Sequence, residues 1–97
     1  LTDDELDAVV ASIAEFAGVK EQRLRNGAST DRARPYRDAL WFVLNKKFKM
    51  THRSLEVFFN TSRTTVQKAI SDCKDDPDRQ SAIAVVLARM NRLGVGL

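Results

Sequence analysis

The residues Ser62-Arg63-Thr64-Thr65-Val66 put three hydroxyls and a guanidinium at the start of an amphipathic run. Behind them Val66, Ala69, Ile70 and Cys73 recur at spacings of three and four, the apolar stripe of a short helix. Such a helix is anchored by one face and offers short polar and cationic groups at its tip. Those groups match the donors and acceptors that base pairs display in the major groove of duplex DNA. Ser62, Arg63, Thr64 and Gln67 are therefore the expected readers. Gln67 lies one turn on from Arg63, on the same face, where its amide suits adenine.

Other chemistries find little material. One His (His52) and one Cys (Cys73) assemble neither a catalytic set nor a metal site, so no enzymatic activity, metal or cofactor is expected. A lone Cys cannot form an internal disulfide, and Cys73 reads as a small core side chain. No apolar run, that of residues 39–44 included, approaches a membrane span, so no membrane partner is expected. No secretory leader pattern is visible, and a cytoplasmic, nucleoid-associated location is expected. The start at Leu1 leaves room for a further upstream segment.

Charge is unevenly spread. Residues 1–19 carry five acids and no cation. Residues 20–68 carry twelve Lys or Arg against four acids. Residues 69–97 carry four of each sign, which leaves the overall +3. The basic block coincides with the segment that holds the reader, and clustered cations supply most non-specific DNA affinity. Phosphate contacts that fix register are expected from Arg37, Lys46, Lys47, Lys49, Thr51, Arg53 and Lys68.

The elements that must position these groups are all helical. Thr2 caps a first helix, with Glu5 placed for a capping box; Leu6, Val9, Val10, Ile13, Phe16 and Ala17 form its stripe, and Gly18 stops it. A short second helix fits residues 19–25. Residues 26–31 read as a loop flanked by Arg23, Arg25, Arg32 and Arg34. Pro35 suits the first turn of a third, central helix reaching about Lys46, with Ala39, Leu40, Val43 and Leu44 as its core. Trp41 reads as core rather than as a stacking platform. Thr51 caps a fourth helix that buries Leu55, Phe58 and Phe59. Asn60, Thr61 and Ser62 make the turn, with Asn60 suited to the left-handed conformation and Ser62 to the cap. Asp76 and Pro77 open a last helix with Ile83, Val86, Leu87, Met90 and Leu93 as its face, ended by Gly94. The expectation is one domain over residues 1–97, an all-α compact bundle of about five to six helices with a helix-turn-helix over about 51–73.

These residues resemble the C-terminal DNA-binding domain of the bacterial replication initiator DnaA. Ala33-Arg34-Pro35 stands where that family opens a helix with the same three residue types. Ala39-Leu40-Trp41-Phe42 is similar to its apolar body, and residues 59–66 occupy the place of its signature. Phe16-Ala17-Gly18-Val19, leading to a basic loop, follows the family's layout. The resemblance covers most of residues 6–75. It implies that Thr64 keeps a base contact, such as one to a thymine methyl, and Thr65 a phosphate contact. It implies that His52 and Arg53 touch the groove edge. It also implies a minor-groove arginine from the basic loop, for which Arg25 is preferred and Arg32 is the second candidate. The family's double glycine is replaced by Asn60 and Thr61, in a turn about one residue shorter. Its Asp-His pair is replaced by Ser62 and Arg63, so the preferred DNA sequence should differ. Arg63 suits a bidentate bond to guanine, contributing roughly 1–3 kcal/mol of discrimination.

Free-standing domains similar to this one occur in alphaproteobacteria, including activators of gene transfer agent clusters. A transcriptional regulator working with RNA polymerase or a partner regulator is therefore the first expectation, since no Gly-rich phosphate loop accompanies the reader. An origin-binding or phage replication protein is a second. A helical protein–protein adaptor, resting on the acidic first helix and amphipathic last helix, is a third, and would tolerate Arg63→Ala.

Overall fold

The computed structural model describes residues 1–25 and 30–95. Six helices follow one another: α1 (Asp3–Ala17), α2 (Gln22–Arg25), α3 (Arg34–Lys46), α4 (His52–Phe59), α5 (Arg63–Asp72) and α6 (Pro77–Arg92). No strand occurs among the described residues. No described helix is long and apolar enough to cross a membrane.

Local chemistry sets most boundaries. The Thr2 hydroxyl accepts from Glu5 N at 3.1 Å while Thr2 N donates to Glu5 Oε1 at 2.9 Å, a closed capping box. That backbone bond, with the hydroxyl's help, holds the Glu5 carboxyl below the usual range. Gly18 ends α1 at φ 69°, a left-handed conformation that costs glycine least. Pro35 lies in the first turn of α3, and Asp76 caps α6 by accepting from Asp78 N at 3.1 Å.

The long middle helix α3 organises the rest. It packs most extensively against α6 and next against α5, with α2 alongside. Ala39, Leu40, Trp41 and Leu44 are fully buried, and one apolar cluster takes residues from all six helices. Trp41 packs 5.6 Å from Phe59, ring centroid to centroid, which joins α3 to α4. Its indole Nε1 has no acceptor among the described residues.

A buried ionic clamp joins α3 to α6. Asp38 is 1% exposed, and its Oδ1 accepts from Arg37 Nε at 2.9 Å. Its Oδ2 accepts from Arg79 Nε at 2.8 Å, across 41 residues of chain. Arg79 also binds the Asp76 carboxylate at the start of α6. Burial works against the Arg79 charge, but the two carboxylates outweigh it and raise its pKa.

Three apolar expectations change. Phe16 is 49% exposed and Ala14 takes its place in the core. Phe16 sits at the margin of the α1 stripe, edge-on to Tyr36 and under the Arg89 guanidinium. Leu87 and Leu93 are also exposed, and α6 buries Ala82, Val86 and Met90 instead. The i, i+4 row centred on Val86 faces α3, which turns Leu87 outward. The second helix is a single turn, shorter than the expected 19–25.

Candidate nucleic-acid interface

The site is built from two short helices and residues 60–62. Thr51 caps α4: its hydroxyl accepts from Ser54 N and donates to Ser54 Oγ, both at 3.0 Å. At the other end of α4, Asn60 takes φ 51° and ψ 57°, the left-handed conformation expected of it. Its N–H and that of Thr61 both donate to Glu56 O, which closes the helix and reverses the chain. Ser62 then caps α5, accepting from Thr65 N at 3.2 Å.

This cap alters two expected roles. The Ser62 and Thr65 hydroxyls lie 2.8 Å apart and are bonded to each other. Both side chains thus serve the start of α5 before they serve any ligand. Their neighbours are different: Arg63, Thr64 and Gln67 are exposed, and none has a side-chain partner among the described residues. Lys68 is exposed as well and pairs with Asp72 at 3.1 Å, with 75% of its side chain in solvent. An ion pair that open contributes little and yields readily to a phosphate.

The opposite face of α5 is locked. Val66 is fully buried, Ala69 and Ile70 nearly so, and Cys73 at the end is completely enclosed. Burial pushes the Cys73 thiol up to about 12, so it stays protonated and inert. The tip of α5 is therefore held by a cap and an apolar anchor, not by its polar side chains.

Two clefts border that tip. One is lined by Thr51, His52, Arg53, Glu56 and Arg63, so the start of α4 and the start of α5 share a wall. The other is lined by Thr64, Thr65 and Lys68 of α5 together with Arg34 and Arg37 of α3 and Arg79 of α6. Arg34 is expected to bind DNA as part of the arginine-flanked loop that probes the minor groove; the fold brings it beside the threonines of α5 instead. A helix about 10–12 Å across with its side chains fits a groove about 12 Å wide.

Other expected contacts lie elsewhere or are committed. Arg37 is 5% exposed, with its Nε and Nη2 on Asp38 and its guanidinium 4.7 Å over the Trp41 ring. It supports the core, and a phosphate contact from it has no geometric basis. Arg25 binds Asp7 at 2.7 Å, lies 3.9 Å from Glu21 and stacks 5.5 Å over Phe58. That ties the preferred minor-groove arginine to α1 and α4. The expected loop lies largely outside the described residues, since 26–29 are not among them. Arg32 is exposed, with its guanidinium beside Gly18 at the end of α1. Lys46, Lys47 and Lys49 are exposed at the far end of α3 and the following connector, outside both clefts. Asp38 and Arg79, which hold the second cleft together, had no sequence signal beyond their charge.

No known protein family, curated protein or solved structure matches this chain.

Proposed function

We propose that this chain, whose residues resemble the DnaA C-terminal domain, reads specific sequences of double-stranded DNA through α5 as a transcriptional regulator. One observation carries the reading. Arg63, Thr64 and Gln67 have no side-chain partner among the described residues and stand on the outer face of a helix whose inner face is sealed. Free donors and acceptors on a rigid, capped helix suit base-edge recognition, because little side-chain or backbone order is lost beyond the contacts themselves.

The flanks support the same reading. Arg53 and His52 border the tip on one side, and Arg34 and Lys68 on the other. Cations at both edges suit the two phosphate backbones that bound a major groove. Lys46, Lys47 and Lys49 add general attraction rather than position. In this reading the partners are duplex DNA and, for activation, RNA polymerase or a partner regulator. A replication role would use the same α5 contacts and would differ only in where sites lie along a genome.

The test is selection of bound duplexes from a random pool at physiological salt, repeated with Arg63→Ala. Enrichment of one short motif by the wild type, with lost preference at one position in the variant, is the expected result. Retention of all sequences alike by both proteins would refute sequence reading by α5.

A further inference from the structure

A third cleft, sharing Arg53 with the first, runs between the start of α1 and the outer side of α4. Its floor is apolar, with Leu6, Met50 and Phe58 among the lining residues. Val57 stands on its lip at 69% exposure, the most open large apolar side chain among the described residues. Asp3 on α1 and Arg53 on α4 also line it. Neither has an ion-pair partner among the described residues, so these two opposite charges are not joined to each other.

We infer that this cleft is a self-association surface on which a second copy of the chain docks across a two-fold axis near Val57. The charge pattern selects that occupant. A uniformly basic partner would oppose Arg53, and a uniformly acidic one would oppose Asp3. A second copy turned through half a circle presents Arg53 to Asp3 and Asp3 to Arg53, with Val57 near the axis. Self-complementarity of this kind is what an isologous interface requires. Arg53 and Val57 are one turn apart on α4, so they address the same partner. The surface is small, which fits a weak dimer populated at high concentration or on adjacent DNA sites. Such a dimer would engage Arg53 with the partner's Asp3 rather than with a phosphate, and only that consequence rests on the DNA reading proposed above.

Sedimentation equilibrium without DNA separates the two ideas. The wild type is expected to rise from 10.9 kDa toward twice that mass with concentration. Val57→Glu should stay monomeric with an unchanged helical spectrum, and should still bind a single DNA site. Asp3→Arg and Arg53→Asp should each weaken association by about tenfold or more, since each homodimer gains two like-charge pairs. Mixing those two variants should restore it, because every charge then meets its opposite across the axis. This mixing arm holds even if Val57→Glu folds poorly. A wild type that remains monomeric throughout, or variants whose mixture associates no better than either alone, would overturn the inference and leave DNA reading untouched.

Discussion

Arg37 and Arg63 are the same residue type at the starts of two helices, and the fold treats them in opposite ways. Arg37 is enclosed, with its guanidinium on Asp38 and its face on Trp41. Arg63 stands in solvent without a partner among the described residues. The clamp of Arg37, Asp38 and Arg79 holds α3 to α6, while the side chains of Arg63, Thr64 and Gln67 on α5 bond to nothing among the described residues. A cation count alone therefore does not mark an interface. The informative quantity is whether a charge is already satisfied at home.

The contrast can be broken most severely at Asp38. Asp38→Ala would leave the enclosed Arg37 without the Asp38 carboxylate and Arg79 with Asp76 alone. It should destabilise the fold by about 3–5 kcal/mol in urea unfolding. Arg63→Ala should do the reverse: stability within about 0.5 kcal/mol of wild type, with specific binding weakened by roughly 1–3 kcal/mol. Equal stability losses from the two variants would erase the distinction. Ser62→Ala lies between them, because the hydroxyl caps α5. It should cost about 1 kcal/mol of stability and weaken DNA binding alongside.

Smaller effects sharpen the picture. Lys68→Ala should weaken binding evenly across sequences and reduce the slope of log affinity against log salt by about 0.9, one phosphate contact. The inner face of α5 has its own signature at high pH. The Cys73 thiol is raised from near 9 to about 12 in the folded protein. The folded state thus keeps a proton that the unfolded state releases above pH 9. Stability from this group is fully present below pH 9 and falls as pH rises from about 9 to about 12. Cys73→Ser should flatten that part of a stability–pH profile, and an alkylating reagent should leave Cys73 unmodified in the native protein at pH 8.

What could be read from the sequence was what local chemistry decides. Thr2 with Glu5, Gly18, Thr51, Asn60, Ser62 and Asp76 each act on their own backbone within a few residues, and each does so here. The anchor of Val66, Ala69, Ile70 and Cys73 follows from helical period alone. What escaped depends on partners distant in sequence. Nothing within a helical turn of Asp38 announces Arg79, and no local pattern places Arg34 beside Thr64 and Thr65. Arg25 looked free in a basic stretch, but Asp7 on α1 faces it. Phe16, Leu87 and Leu93 fit apolar stripes by spacing, yet each lies at a stripe's edge, where the direction of the neighbouring helix decides burial.

The most direct measurement is a fluorescence-anisotropy titration at physiological salt. It would compare a duplex recovered by selection with a scrambled duplex of equal length, for the wild type and Arg63→Ala. Recognition by α5 predicts clear preference for the selected duplex in the wild type and a loss of roughly 1–3 kcal/mol of that preference in the variant, with thermal unfolding unchanged. Equal affinity for both duplexes in the wild type, or a preference that survives Arg63→Ala intact, would contradict it.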